Sequence, residues 1–284
     1  MSDLDVTLVR LHADDGQFLD ALRYPTPEAD RRTAVIHLPG KGSSFLGGPG
    51  RFMPPLWPEV THLSLNMRCR DLAWTNAELP SPDFTEGDVP VAGGMWESIG
   101  DGHRDVAAAV EHLYERGHDR IFISGHSSGG FYTADYCARD PRIAGRILIS
   151  PLTSNGTAVK VWFPDEQSRA RAVAEAERMV ADGRGHHLMT LPSWFYAMSA
   201  KSILERAAEP EGVWLDAMNR SASPVLMVWG TAESRDAHWR QLGEQFTAPF
   251  TRCVTIEGAE HHFVGDEREL TAIARDFVAE VIAA

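Results

Sequence analysis

One serine in this sequence is well placed for nucleophilic chemistry, because it lies between two glycines in the pattern G-x-S-x-G, Gly125–Gly129. The apolar run Ile121–Ser124 before it predicts a buried strand, and Phe131–Arg139 after it has the spacing of a helix. A serine on such a tight strand-to-helix turn projects its hydroxyl above the sheet edge. The pattern therefore predicts Ser127 as a nucleophile, which needs a base to take its proton and a carboxylate to orient that base.

Composition narrows the class of protein. The chain has 284 residues, 43% of them hydrophobic and 24% charged, which is typical of a globular protein large enough for one α/β domain. Its net charge of −13 argues against nucleic acid or an anionic membrane as the main partner. The N-terminus lacks signal-peptide features and no apolar stretch approaches membrane-spanning length, so we expect a cytoplasmic protein.

The three cysteines, Cys69, Cys137 and Cys253, are widely spaced and form no metal-ligand or redox motif. We therefore expect reduced thiols that are mostly buried.

Eight short apolar or alternating runs predict the strands that must position Ser127. They are Val6–Leu11, Phe18–Arg23, Ala34–Leu38, His62–Met67, Ile121–Ser124, Ile143–Ile149, Val225–Trp229 and Arg252–Ile256. Helical spacing recurs between most of them, so we expect an α/β fold with a mainly parallel, doubly wound sheet that carries helices on both faces. The turn-rich stretch Asp71–Gly94 predicts a surface excursion.

The segment 151–222 separates the sixth and seventh predicted strands by far more than a crossover needs. It contains a predicted helix, Glu166–Asp182, and is rich in aromatic residues, including Trp194 and Phe195. We therefore divide the chain into a core, 1–150 with 223–284, and an inserted segment, 151–222.

The G-x-S-x-G motif and the order of the predicted strands resemble the α/β-hydrolase superfamily. The resemblance implies that the core adopts the α/β-hydrolase fold and that 151–222 is a helical cap inserted after strand 6. Such a cap would place Trp194 and Phe195 over an apolar pocket, as substrate-binding residues. Most of its aromatic residues would simply hold the cap together, and the cap could instead serve as a dimerisation surface, which would make the protein a homo-oligomer.

The same resemblance implies the partners of Ser127, since the superfamily places its acid and then its histidine after the serine in the chain. His261 falls in a glycine-containing loop after the last predicted strand, with His262 as the alternative. Glu233 lies three residues beyond Gly230, which ends the seventh strand region, with Asp236 as the alternative. The resemblance thus implies a Ser127–His261–Glu233 triad.

Two backbone donors for the anionic oxygen of a tetrahedral intermediate also follow from the resemblance. One is the N–H of Ser128, directly after the nucleophile. The other is the N–H of Lys41 in the Pro39–Gly42 loop. Gly42 is the alternative, because Pro39 replaces the histidine that usually precedes the glycine at Gly40. We expect the Lys41 side chain to be solvated.

Arg68 follows the fourth predicted strand, at the sheet edge where α/β proteins bind ligands. It could bind a carboxylate or phosphate of the substrate, or form a structural ion pair with an acidic loop residue. His186 and His187 are adjacent but lack further spaced ligands, so we expect no metal and no other cofactor.

The resulting hypothesis is a serine hydrolase that cleaves a small carboxylic ester or thioester through an acyl-enzyme. Amidase, peptidase, carbon–carbon bond hydrolase and acyltransferase activities remain alternatives, because each can use the same triad. A non-catalytic protein that binds a small ligand is an alternative from another class.

Overall fold

An eight-stranded sheet lies at the centre of the structure, a computed structural model that describes residues 5–26, 32–75, 91–194 and 197–284. Its strands, in chain order, are β1 Thr7–His12, β2 Phe18–Tyr24, β3 Thr33–Leu38, β4 Thr61–Leu65, β7 Arg120–His126, β8 Ile143–Ile149, β11 Val225–Gly230 and β12 Thr251–Ile256. Two-stranded sheets are formed by β5 Trp74–Thr75 with β6 Val91–Ala92, and by β9 Leu188–Thr190 with β10 Ala197–Ser199.

The order of strands across the main sheet is β1-β2-β4-β3-β7-β8-β11-β12. The pairs β1–β2 and β2–β4 are antiparallel, and every later pair is parallel. The predicted mainly parallel sheet is therefore confirmed, with a hairpin at one edge. Because β7 lies in the middle of the sheet, Ser127 emerges at the centre of its carboxyl edge.

Helices connect the strands. They are α1 Pro49–Leu56, α2 Gly102–Tyr114, α3 Ser128–Cys137, α4 Asn155–Val161, α5 Glu166–Ala181, α6 Ala200–Ala207, α7 Val213–Arg220, α8 Asp236–Gly243 and α9 Glu267–Ala283, with a 3-10 turn at Gly94–Trp96. Alternate residues of β3 face different cores: Ala34 and Ile36 pack with α2, whereas Val35 packs with α1 and α9. Burial on both faces explains why this strand has no polar alternation.

Between β8 and β11 the chain builds a small core of its own. Buried residues of this core include Val159, Trp162, Met179, Met198 and Ile203. In contrast, α7 packs on the main sheet, where its Trp214 lies in a cluster with β11 residues and donates its indole N–H to the Gly130 carbonyl at 3.3 Å. The part of 151–222 that forms a separate core is therefore the part before α7.

Two sequence predictions can be placed only partly. Most of the stretch Asp71–Gly94 and the side chain of Phe195 lie outside the described residues. Within the described part of the chain, no helix is long and apolar enough to cross a membrane.

Candidate active site

Ser127 occupies the sharp turn between β7 and α3. Its backbone has φ 54° and ψ −118°, a left-handed conformation that a non-glycine residue adopts at a cost of about 1–3 kcal/mol. Two hydrogen bonds hold this turn against the end of β8: Ser127 N–H donates to the Ile149 carbonyl at 3.0 Å, and Leu152 N–H donates to the Ser127 carbonyl at 2.7 Å. The Ser127 hydroxyl accepts no N–H from α3 and faces a cavity.

The glycines of the motif are required by close packing. A Cβ atom on Gly125 would lie 2.3 Å from the Gly129 carbonyl oxygen and 2.3 Å from Thr133 Oγ1. A Cβ atom on Gly129 would lie 2.4 Å from the Leu38 carbonyl oxygen. The pattern therefore lets β7, α3 and the end of β3 meet closely around Ser127.

His261 and Glu233 meet at the same edge of the sheet. His261 Nδ1 lies 2.8 Å from Glu233 Oε2, and the side chains are 40% and 8% exposed. Because a carboxylate only accepts hydrogen bonds, Nδ1 carries the proton and donates it, which leaves the lone pair on Nε2. This is the tautomer that a general base facing Ser127 requires.

The second oxygen of Glu233 is also fixed. Oε1 accepts hydrogen bonds from the Ser150 hydroxyl and, at 3.2 Å, from the Gly230 N–H. Burial tends to raise the pKa of Glu233, but the hydrogen bonds from His261 and Ser150 outweigh it, so the pKa is lowered. The carboxylate is therefore ionised at neutral pH. Ser150, at the end of β8, was not identified from the sequence.

The alternative residues have other surroundings. Asp236 accepts a hydrogen bond from the Trp229 indole at 2.7 Å and pairs with Arg240 at 3.0 Å, away from His261. His262 lines the cavity beside His261, with ring centroids 5.2 Å apart. Among the described residues, the Ser127 hydroxyl is hydrogen-bonded to neither histidine. Catalytic hydrogen bonds often shorten only when substrate is bound.

His126, the residue before Ser127, holds the histidine loop in place. Its Nε2–H donates to the His261 carbonyl oxygen at 2.8 Å. Burial, reinforced by the nearby His261, lowers the pKa of His126 to about 3, so the ring stays neutral. His126 is part of the G-x-S-x-G motif, but no local pattern in the sequence predicts its contact with His261, 135 positions away.

The two segments that carry the predicted oxyanion donors both lie next to Ser127. Ser128 is the first residue of α3, where an N–H has no acceptor within the helix. The loop that carries Lys41 passes close to the nucleophile, since a Cβ atom on Gly40 would lie 3.2 Å from the Ser127 Cβ. Gly42, the alternative donor, has a φ of 65° and lies beside Leu72.

The side chain of Lys41 is largely buried, with 14% of its surface exposed, and the expectation that it is solvated was wrong. Its ammonium group donates to the Gly94 carbonyl at 2.8 Å and to the Glu97 carboxylate. The same carboxylate accepts from Arg206 of α6, and from the Tyr132 hydroxyl of α3 at 2.5 Å. One buried acid thus connects the Lys41 loop, the helix after the nucleophile and the inserted segment.

Electrostatics keeps this cluster charged. Burial tends to raise the pKa of Glu97, but Arg206 and Lys41 lower it to about 2. Burial, with a contribution from Arg206, lowers the pKa of Lys41 to about 8, and Glu97 offsets part of that effect. Both the acid and the base are therefore mainly ionised at pH 7.

A cavity of about 660 Å³ contains the candidate catalytic groups. Its wall includes Ser127, Glu233, His261 and the Lys41 loop, and the inserted segment contributes Asn155, Ala158, Val161, Trp162, Trp194 and Arg206. Trp194, predicted from the sequence as a substrate-binding residue, lies on this wall. The part of the chain described here contains no group of His, Cys, Asp and Glu suited to hold a metal ion.

Arg68 does not reach this cavity. Its guanidinium donates to buried Asp105 at 2.8 Å and to Asp15, in the β1–β2 turn, at 2.7 Å. The structural ion pair is therefore the alternative that the structure supports, and substrate binding by Arg68 is a prediction that it contradicts. The physical reason is the buried carboxylate of Asp105, which holds the cation inside the fold.

Comparisons with known proteins agree with this architecture. A family model described as "Serine aminopeptidase, S33" matches residues 87–192. No curated protein matches the chain. The chain is similar in structure to Est1E from Butyrivibrio proteoclasticus with ferulic acid bound, at a TM-score of 0.73 and 14% identity, with 97% of this chain and 100% of that chain covered.

Two further solved structures show the same likeness. The α/β hydrolase GrgF from Penicillium sp. sh18 has a TM-score of 0.72 and 16% identity, covering 99% of this chain and 100% of that chain. An esterase from Pyrococcus furiosus has a TM-score of 0.67 and 14% identity, covering 98% of this chain and 91% of that chain. At such identities the likeness establishes the fold. The chain therefore has the α/β-hydrolase fold.

Proposed function

We propose that this protein is a serine hydrolase that cleaves a carboxylic ester or thioester through an acyl-enzyme intermediate. The observation that carries the proposal is the hydrogen bond from His261 to the buried Glu233 in the cavity onto which Ser127 opens. A buried carboxylate that fixes the histidine tautomer beside a serine on a strained turn is the arrangement that nucleophilic acyl transfer needs.

In the proposed reaction, Ser127 Oγ attacks the carbonyl carbon while His261 Nε2 takes the hydroxyl proton. Glu233 stabilises the imidazolium that forms, and the N–H groups of Lys41 and Ser128 bind the oxyanion. Each such donor contributes about 3–4 kcal/mol to the stability of the transition state. His261 then protonates the leaving alcohol or thiol, and a water molecule activated by the same nitrogen releases the acid and restores Ser127.

The side chains that the inserted segment adds to the cavity favour a small-molecule substrate. The segment's Ala158, Val161, Trp162 and Trp194 form an apolar part of the wall of the cavity that also contains Ser127 and His261. We propose that this segment acts as a cap that binds the apolar part of the acyl group or alcohol, excluding water from the reacting carbonyl.

The test measures hydrolysis of 4-nitrophenyl butyrate by the wild type and by Ser127→Ala, His261→Ala and Glu233→Gln. We expect Ser127→Ala and His261→Ala to lose activity by at least about 10³-fold and Glu233→Gln to lose a large part of it. Intact mass after treatment with a fluorophosphonate should show one adduct on the wild type and none on Ser127→Ala. Ser43→Ala, which removes another hydroxyl from the cavity wall, should keep the adduct. Equal hydrolysis by wild type and Ser127→Ala would favour a non-catalytic ligand-binding protein instead.

A peptidase is the second candidate, because the matched family model describes a serine aminopeptidase. An aminopeptidase must bind the cationic amino group of its substrate. Lys41 and Arg206 on the cavity wall disfavour a cation there. Faster turnover of leucine 4-nitroanilide than of 4-nitrophenyl butyrate would reverse this preference.

A further inference from the structure

Three cationic side chains line the cavity, and they differ in their partners. Lys41 and Arg206 both contact the carboxylate of Glu97. Arg235, in the loop between β11 and α8, also lies on the cavity wall. Within the described residues, Arg235 makes no ion pair and no side-chain hydrogen bond. It is therefore a cation on the wall of the site that no carboxylate of the described structure neutralises.

The acidic residues nearest to Arg235 in the chain are occupied elsewhere. Glu233 is bound to His261 and Ser150, and Asp236 is bound to Trp229 and Arg240. Glu260, also on the cavity wall, is exposed to solvent and forms no ion pair with Arg235 among the described residues.

The basic groups near Arg235 show the effect of its charge. The pKa of His238, in the first turns of α8, is lowered by burial and by Arg235, so this ring stays neutral beside it. Burial also lowers the pKa of Arg235, and Glu233 opposes this only in part. By contrast, the carboxylates of Asp105 and Asp15 raise the pKa of Arg68 despite its burial.

A partly buried guanidinium has lost part of its hydration and has no counter-ion. An anion that enters the cavity can therefore supply both the lost hydrogen bonds and the missing opposite charge. This is notable in a protein whose net charge is −13, because the overall field repels anions and only a local cation can retain one. Of the anions that a small ester can carry, a carboxylate matches the planar fork of arginine in a bidentate way.

We propose that Arg235 binds a carboxylate on the substrate, so that the preferred substrate of this site is an ester or thioester that carries a second, free carboxylate. The inference rests on the proposed serine hydrolase function and narrows its substrate class. The carboxylate belongs either to the acyl group, as in a half-ester of a dicarboxylic acid, or to the leaving alcohol, as in an ester of a hydroxy acid.

Two pairs of esters that differ mainly in one carboxylate separate these sources. The acyl pair is monoethyl adipate and ethyl hexanoate, and the alcohol pair is 3-butyryloxybenzoate and 3-methylphenyl butyrate. The quantity measured is the ratio of kcat/KM for the anionic ester to that for its neutral partner, in wild type and variants. The variants are Arg235→Gln, Arg235→Lys and, as a matched loss of charge outside the cavity, Arg240→Gln.

We expect Arg235→Gln to lower the ratio about tenfold to hundredfold in one pair, the range for a hydrogen bond to a charged group. Hydrolysis of the neutral ester should change by less than about threefold. Arg235→Lys should lower the ratio less, because the charge remains without the fork, and Arg240→Gln should leave it unchanged.

Each other result overturns the inference in a recognisable way. Equal losses on anionic and neutral esters would mean that Arg235 acts on the Glu233–His261 pair and not on the substrate. An unchanged ratio in both pairs would remove carboxylate recognition while the serine hydrolase proposal stands. No hydrolysis of any ester above the Ser127→Ala background would overturn the proposed function and this inference with it.

Discussion

The buried pair His37 and His62 should make the fold sensitive to mild acid. The two residues lie on neighbouring strands β3 and β4, with their rings stacked at a centroid distance of 5.1 Å. His62 Nε2–H donates to the Trp57 carbonyl at 2.6 Å, and His62 Nδ1 lies 2.9 Å from His37 Nε2. His62 must therefore accept at Nδ1 and His37 must donate, which leaves the lone pair on His37 Nδ1. That atom is buried and has no hydrogen-bond partner in the described structure.

The expected magnitude follows from the pKa values. Burial lowers the pKa of His62 from 6.5 to about 4, and burial together with His62 lowers the pKa of His37 well below its usual value. Between pH 6.5 and about pH 5 the unfolded chain binds a proton at each of the two histidines, which the folded chain does not, so stability falls as the pH decreases. At about 1.4 kcal/mol per pKa unit, each such proton lowers the free energy of unfolding by about 2 kcal/mol between pH 7 and pH 5, so the two histidines together lower it by about 4 kcal/mol.

The assay is urea unfolding at pH 7, 6 and 5, followed by tryptophan fluorescence. The double variant His37→Gln/His62→Gln should be less stable at pH 7, but its loss of stability between pH 7 and pH 5 should be about 4 kcal/mol smaller than that of the wild type. His186→Gln, which replaces an exposed histidine, serves as the control. In ¹⁵N-histidine NMR spectra of the wild type, both buried rings should remain neutral at pH 5. Equal acid sensitivity of the double variant and the wild type, or protonation of either ring above pH 6, would refute the argument.

Three further predictions concern the site. Gly125→Ala should abolish folding or lower Tm by more than about 10 °C, because its Cβ would lie 2.3 Å from two atoms of α3, and a thermal scan with Gly100→Ala as an uncrowded comparison tests this. Ser150→Ala should lower kcat for 4-nitrophenyl butyrate about tenfold with KM unchanged, because Glu233 loses a hydrogen-bond donor; a change confined to KM would contradict it. Glu97→Gln should cost about 3–5 kcal/mol in urea unfolding, because Lys41 and Arg206 stay buried without their shared carboxylate; a loss below about 1 kcal/mol would contradict it.

The sequence predicted the sheet well, because the strands that carry the site are fully buried. Such strands read as mainly apolar runs: β11 contains no charged residue and β8 contains only the buried Arg146. Their predicted bounds differ from the observed ones by a residue or less. Helix α1 was missed because Pro49, Pro54 and Pro55 argue against a helix. Pro49 lies in its first turn, where no intrahelical N–H bond is lost, and the buried Met53 and Pro54 anchor the helix on the sheet.

The candidate site was predictable where a side chain follows directly from a strand end, as Ser127 and Glu233 do. The contacts of Glu97 were not, because its partners Lys41, Tyr132 and Arg206 lie 35 to 109 positions away and no local pattern records them. The same applies to Lys41, for which a glycine-rich loop suggested an exposed side chain. Burial of that ammonium group depends on an acid that belongs to another part of the fold.

The three-way contact of Glu97 has a consequence for how molecules reach Ser127. Moving α6 away from the cavity would break the ion pair between Arg206 and Glu97. Because these side chains are only 3% and 1% exposed, breaking the pair would cost several kcal/mol. We therefore expect substrates to enter through a fixed opening and not by movement of α6. The width of that opening would then select substrates by size before they reach Ser127.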